Sequence, residues 1–465
     1  MSDSIAFLSV VELLARYRRG ELSPLEAVRV AYERLERIEP VINAFCHVAD
    51  REESLRLARE SEARWRRGNP RGEMDGVPIT VKDAILAKGW PTLKGSKTVE
   101  PKQPWLEDAP AVARLREQGA IILGKTTTPE FGWKGVTDSP LSGITRNPWN
   151  PHTTPGGSSG GAAAALAAGI GHAAIGTDAG GSVRIPAAFC GLVAIKATSG
   201  RVPNYPPSAA GTLGHIGPMT HTVADAAHLL NLIAIPDARD WLCLPPADID
   251  YRIGLNGGVR GLRLAYSPAL GFAKVEPAVA ELAAKAARAF EDLGARVEEV
   301  AAPFEDPTGI FRTHFFAGMA HSVRHHTPEQ LAMLDPGLMK IIEHARKVTI
   351  TEYMSAVDQR AALGRSTRSF HQTYDLLLTP TLAVAAFTAG RLAPDGYGDD
   401  WVNWTPFTYA FNLTGQPAIS VPCGFTREGL PVGLQIVGAM HQDALVLRAA
   451  QAYQCAHPAG RHPSL

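Results

Sequence analysis

The sequence predicts an α/β protein, and three observations carry that expectation. Strand-like apolar runs alternate with helical stretches along most of the 465 residues. Hydrophobic residues make up 45% and charged residues 20%, which suits a large core and argues against disorder. Acidic and basic side chains balance at 46 each, so the basic field that nucleic-acid binding relies on is missing. The balance points instead to a small substrate. Length alone suggests about three domains. No repeat, low-complexity tract or flexible linker divides the chain, so one large α/β unit is expected.

Residues Ile5–Ala15 are apolar, but Asp3 precedes them, Glu12 interrupts them and no small-residue cleavage site follows. They read as the start of an amphipathic helix, not a signal peptide. Ser23-Pro24-Leu25-Glu26 is a capping box with proline at the first helical position. Leu25, Val28, Ala31, Tyr32 and Leu35 continue it at helical spacing. A charged helix over 50–67 precedes a short strand, Val77–Val81, which ends at Lys82-Asp83. Helix Ala111–Gln118 leads into the strand Ala120–Leu123, closed by Gly124. Residues 137–217 break the rhythm: they are dense in Gly, Ser, Thr and Pro around an Ala-rich helix, Ala162–Ala168.

Strand Leu262–Tyr266, a helix over Glu276–Leu293 and strand Val297–Val300 then form a βαβ-like unit. Residues 336–374 are mainly helical, and Leu376–Leu378 is a strand. Ala418–Val421 and Val432–Val437 are strands flanking a turn at Arg427-Glu428-Gly429, and helix Ala444–Gln454 closes the chain. The longest uncharged stretch, Gly160–Gly176, is mostly Ala and Gly and too weakly hydrophobic to span a bilayer. Five scattered cysteines (Cys46, Cys190, Cys243, Cys423, Cys455) contain no C-x-x-C pair. Neither a disulfide framework nor a cysteine zinc site is expected, and a reducing cytoplasm fits.

Three places carry chemistry. Gly156-Gly157-Ser158-Ser159-Gly160-Gly161 sets four glycines around two serines, which implies unusual dihedrals or close approach. A flexible glycine–serine loop is the plain alternative, but a strong helix former follows directly. A phosphate loop would need lysine where Ala162 stands. The run also satisfies G-x-S-x-G, yet that elbow must follow a strand, and Pro148, Pro151 and Pro155 forbid one. Gly169–Ala174 mimics a dinucleotide fingerprint but follows helical sequence. Second, Gly180-Gly181-Ser182 lets consecutive backbone N–H groups converge on one point, as an acyl-transfer oxyanion requires. Third, Lys82 ends an apolar strand; it is either an ordinary lysine reaching solvent or, buried against the glycine-rich region, an amine whose pKa is lowered until its neutral form can act as base. His321, His325 and His326 lack a carboxylate ligand and the H-E-x-x-H pattern, so no metal is expected. Cys190 reads as a small buried apolar residue.

With these elements in place, the sequence closely resembles the amidase signature family. The matching segments are Asp75–Asp83, Thr145–Trp149, Gly156–Gly161, Gly176–Arg184, Pro186–Gly191, Leu413–Phe425 and Leu430–Gly438. The resemblance implies a large mixed central β-sheet covered by helices on both faces. It implies a single amidase domain over 1–465: an N-terminal helical region (1–70), a signature core (75–230) and a part (255–465) completing sheet and pocket. It also implies a triad of Ser182 as nucleophile, Ser158 as bridge at a cis peptide bond and Lys82 as base. The oxyanion would sit on the backbone N–H groups of Ala179, Gly180, Gly181 and Ser182, so the Ala179 side chain should be unimportant. Ser159, Asp178 and Arg184 are read as supports, with Asp178 and Arg184 pairing beneath the oxyanion turn.

On this resemblance the chain is an amidase cleaving small aryl or alkyl carboxamides, and esters of like shape, with no cofactor, nucleic acid or membrane. Relatives commonly form homodimers. The family also includes the glutaminase component of the glutamyl-tRNA amidotransferase. The segment Glu130–Thr137 looks more like stand-alone amidases, and Thr405 falls where that component places an acidic contact for glutamine. An α/β-hydrolase-like esterase is the remaining alternative. Phe131, Trp133, Trp404 and Phe407 are expected to wall an apolar substrate pocket.

Overall fold

The computed structural model describes residues 2–301 and 303–465. Seven strands precede residue 200: β1 (Phe45–Val48), β2 (Pro78–Lys82), β3 (Ile121–Thr126), β4 (Asp138–Ser139), β5 (Gly143–Ile144), β6 (Ala173–Asp178) and β7 (Val193–Lys196). Six follow: β8 (His215–Thr220), β9 (Arg263–Tyr266), β10 (Arg296–Glu299), β11 (Leu376–Pro380), β12 (Ala418–Phe425) and β13 (Pro431–Gly438). All but β4 and β5 join one 11-stranded sheet, ordered β1-β3-β2-β6-β8-β7-β12-β13-β11-β9-β10.

The sheet is mixed. β2 runs parallel to both β3 and β6, and β9 runs parallel to both β10 and β11. Between these blocks, β8, β7, β12 and β13 pair antiparallel. Strand periodicity sends alternate side chains to opposite layers. In β7, Val193 and Ile195 join the core under helices Val223–Ile233, Pro277–Asp292 and Asp443–Ala456. Ala194 faces the other layer, with Ala162, Ala163 and Ala187 of helices Gly160–Ala167 and Arg184–Cys190. Fully burying each aliphatic side chain of this kind contributes about 1.5–3 kcal/mol, so both faces of the central strands need their helices. Among the described residues no helix is long and apolar enough to cross a membrane.

Three readings of the sequence need correction. The stretch Ile5–Ala15 is divided between two helices, Ser2–Ala6 and Val10–Arg19. Ser9 caps the second: its side chain accepts from Glu12 N, while the Glu12 carboxylate accepts from Ser9 N at 3.0 Å. β3 does not stop at Gly124, because pairing with β1 carries it on to Thr126. Most consequentially, residues 137–217 contain β6, β7 and the start of β8, which occupy the middle of the sheet. Their small residues allow helices Gly160–Ala167 and Arg184–Cys190 to lie close against them, and that same smallness hid the strand pattern.

Candidate active site

Lys82 is the last residue of β2 and is fully buried. The parallel register sets Val81 beside Ile175, which brings Lys82 level with the Gly176-Thr177 end of β6. Its Nζ lies 2.6 Å from Ser158 Oγ and 2.8 Å from Thr177 Oγ1. Ser158 follows a cis peptide bond from Gly157. The loop carrying it is clamped by Thr137, whose Oγ1 donates to Gly156 O at 2.8 Å and accepts from Gly160 N at 3.1 Å. A Cβ on Gly160 would stand 2.2 Å from Thr137 Oγ1, and one on Gly161 2.3 Å from Thr127 Oγ1. The glycines therefore serve close packing, and the flexible-loop alternative fails.

Ser182 lies in the turn between β6 and helix Arg184–Cys190. Gly181 there has φ 120, a region that side chains disfavour. Asp178, at the end of β6, accepts from Gly181 N at 2.8 Å and from Val183 N at 3.3 Å. It also receives Arg184 Nε and Nη2, each at 3.0 Å, so the pair is bidentate and both side chains are fully buried. Arg184 continues to Gln435 Oε1 and Asn412 Oδ1, each at 2.7 Å, and Asn412 Nδ2 returns to Asp178 Oδ1 at 2.9 Å. Thr408 Oγ1 holds Gly180 O at 2.7 Å. From the other side, Ser159 N donates to Ser182 O at 3.1 Å and Ser159 Oγ to Thr177 O at 3.2 Å. The turn is held on both flanks by groups that are themselves buried and paired.

One expectation about this turn changes. The N–H groups of Ala179, Gly180 and Ser182 have no partner among the described residues, but that of Gly181 is engaged by Asp178 Oδ1. Gly181 thus shapes the turn and is not one of its free donors. Ser182 Oγ likewise makes no hydrogen bond to a described residue; it faces the cavity that Ser158 also lines.

Burial sets the electrostatics. Desolvation lowers the Lys82 pKa from 10.5 to about 7, against the opposing pull of Asp178 and Asp83. For Asp178, burial pushes the carboxyl up, but Arg184 outweighs it and holds the group well below the usual carboxylate range. His215 is buried, and desolvation, with Lys196 adding to it, drives its pKa down to about 3. Its Nδ1 faces the carbonyls of Leu213 (2.8 Å) and Asp178 (3.2 Å), so the ring is neutral with its proton on Nδ1. Its Nε2 lone pair is left without a partner among the described residues.

The cavity above Ser182 measures about 430 Å³. Its apolar wall comes from Leu86, Phe131, Ala210, Phe315 and Met319. Of the four aromatic residues expected there, only Phe131 is present. Trp133, Trp404 and Phe407 are buried in the core, where Trp404 stacks on Phe189 with ring centroids 5.7 Å apart. The segment 401–411 needs its rings to fill that layer, as Phe311 and Trp401 packing against Gly180 illustrate. Thr405 is also buried, with Oγ1 on Trp401 O at 3.2 Å, and does not line the cavity. Phe131 and Lys94 have left-handed backbones, φ 51 and φ 54, and are tied by Phe131 N donating to Lys94 O at 2.8 Å. Such strain gathers at functional sites.

Sequence reasoning missed Thr177, Thr408, Asn412, Gln435 and His215. A polar residue inside an apolar strand, as in Leu434-Gln435-Ile436, was the available signal for the buried network. No group of three or more His, Cys, Asp or Glu able to hold a metal occurs among the described residues.

The family model described as Amidase matches residues 26–447. An acylamidase of Rhodococcus erythropolis is 38% identical over 466 residues, covering 98% of this chain and 97% of that protein. The glutamyl-tRNA(Gln) amidotransferase A chain of Myxococcus xanthus is 36% identical, covering 97% of each. The crystal structure of a bacterial aryl acylamidase of the amidase signature family superposes with a TM-score of 0.91 at 30% identity, covering 98% of this chain and 99% of that one.

Proposed function

The chain belongs to the amidase family and hydrolyses carboxamide C–N bonds, and we propose that it does so through an acyl-enzyme on Ser182. The observation that carries this reading is the buried, hydroxyl-bonded Lys82 beside the serine cavity. With a pKa of about 7, roughly half of Lys82 is neutral at neutral pH and able to take a proton. Ser182 Oγ attacks the carbonyl as its proton passes to Ser158 and the Ser158 proton to Lys82. The free N–H groups of Ala179, Gly180 and Ser182 stabilise the oxyanion, each such donor contributing about 3–4 kcal/mol in comparable sites. The pair then returns a proton to the departing nitrogen, which leaves only when protonated. Water releases the acyl group by the same route in reverse. The Ser182–Ser158 hydrogen bond is not formed here, and catalytic hydrogen bonds often tighten only with substrate bound.

Asp178, Arg184 and Ser159 position the turn and touch no substrate. The apolar wall suits aryl and alkyl amides, in keeping with the acylamidase relatives. The amidotransferase alternative needs a carboxylate for the α-ammonium group of glutamine, and among the described residues no Asp or Glu lines the cavity. The test is mass measurement of a trapped acyl-enzyme with Ser182→Ala beside the native protein. The acyl mass should appear on native protein alone, with turnover in the variant down on the order of 10⁵–10⁶-fold. Near-normal turnover in Ser182→Ala would overturn the assignment.

A further inference from the structure

The cavity is chemically lopsided along its depth. Ser182 and the apolar wall lie inside, whereas Lys94, His321 and Arg324 line it as exposed residues. Among the described residues no carboxylate lines it. The acids that directly precede lining residues in the chain are engaged elsewhere, Glu130 by Ser96 Oγ and Asp335 N. Asp83 accepts from Leu93 N at 3.1 Å and Gly95 N at 3.3 Å and lies 3.7 Å from Lys125 Nζ, while Asp178 is locked to Arg184.

The basic groups are placed by the fold. Lys94 sits in its left-handed conformation because Lys94 N donates to Asp83 O at 3.0 Å while Lys94 O accepts from Phe131 N. Its side chain forms no hydrogen bond and no close ion pair to a described residue; burial lowers its pKa, and the Asp83 carboxylate, which also faces Lys125, acts on it from a distance. Arg324 follows helix Thr308–Ser322, and its guanidinium donates to His321 O at 3.0 Å, a neutral partner that leaves its charge uncompensated. Arg56, Arg64, Arg239 and Arg252 each pair with a carboxylate, whereas Arg146 and Arg360, like Arg324, bond to neutral acceptors. In a chain with no net charge, two basic side chains without a close carboxylate partner at one cavity make a local positive field, partly offset at Lys94 by Asp83.

We propose that the enzyme selects amides with an apolar body and a carboxylate at the end remote from the scissile bond, held by Lys94 and Arg324. This rests on the Ser182 reading above and assigns a substrate class to that site. The guanidinium and ammonium supply donors that a carboxylate accepts, and burial of the body in the apolar section places the amide at Ser182. A cationic substrate, by contrast, meets repulsion at the rim with no acid to relieve it.

Two matched pairs test this. Pentanoyl-4-nitroanilide and glutaryl-4-nitroanilide differ in a carboxylate on the acyl side; acetanilide and 4-acetamidobenzoate differ in one on the amine side. The acidic member of at least one pair should have a kcat/KM about tenfold above its neutral partner at low ionic strength, the size expected for two partly exposed ion pairs. That ratio should shrink in 1 M salt, where screening reaches about 3 Å. Lys94→Gln should lower the ratio. Arg324→Glu should reverse it in favour of a trimethylammonio-pentanoyl anilide, a gain that simple misfolding cannot produce. Turnover of the neutral member reports on Ser182, and the ratio reports on the rim. A ratio at or below one in both pairs, with the neutral members hydrolysed, overturns the proposal alone; no turnover of any member overturns both readings.

Discussion

The ends of β2 and β7 present the same residue in nearly the same electrostatic condition. Lys82 and Lys196 are both fully buried, and desolvation brings each from 10.5 to about 7. Their partners differ. Lys196 Nζ donates to the carbonyls of Gln416 and Ala197, the second at 3.2 Å. Lys82 meets two hydroxyls. A carbonyl only accepts, so it anchors an amine without exchanging a proton with it. A hydroxyl both accepts and donates, so a neutral amine beside it can draw its proton. Depressed proton affinity is therefore shared by the two sites, and the partner chemistry is what separates the proposed base from a brace.

The sharpest way to break this contrast is Lys82→Met. Turnover should fall on the order of 10²–10⁴-fold, the range for removing a general base. In the native enzyme kcat/KM should rise as pH passes about 7 and level off about a unit above, because the neutral amine is the active form. An ordinary lysine would keep the rate rising toward 10.5. A variant that retained the rise near pH 7 would remove Lys82 from the base role.

Lys196→Met should act on stability instead, leaving two buried carbonyls unpaired at a cost of about 1–3 kcal/mol. The sign of its pH dependence follows from linkage. The unfolded chain binds more protons than the folded one between about 7 and 10.5, so the native protein gains stability from this group as pH rises through that window. The penalty for burying the amine is fully present below about 7, where it offsets part of the hydrogen-bond loss. The stability gap between native and variant should thus widen from pH 7 to pH 10, as read by urea unfolding. A gap that narrows contradicts the assigned direction. Thr177→Val should have the smallest effect. It removes an acceptor that favours the ammonium form, so the rising limb should move to lower pH with less than about a tenfold change in plateau rate.

Legibility in the sequence tracked side-chain size. β2, β12 and β13 announced themselves through apolar residues of ordinary bulk, and the capping box at Ser23 marks a real helix start. β6 and β8 did not. Ala173-Ala174-Ile175-Gly176 and His215-Ile216-Gly217-Pro218 have weak strand propensity, yet they lie at the centre. At Gly217 a Cβ would come 2.4 Å from Ile195 O, so packing selects a residue that propensity would reject. The aromatic segment misled for the opposite reason: bulk alone does not say whether a ring faces a cavity or fills a core.

What the amino-acid order determined by itself was local or motif-borne: the alternation of helix and strand, the capped helices, and the serine- and lysine-bearing segments that tie the chain to its family. Tertiary structure alone decided that Lys82 would lie dry beside Ser158 and Thr177, that Asp178 would take the Gly181 N–H, and that Phe131 would reach the cavity while Trp404 would not. Each of these depends on groups far apart in the chain, joined by the register of β2 against β6 and the closing of Asn412 and Gln435 over Arg184. Proton affinity and exposure are set by what surrounds a side chain in space, and that arrangement exists only once the sheet has formed.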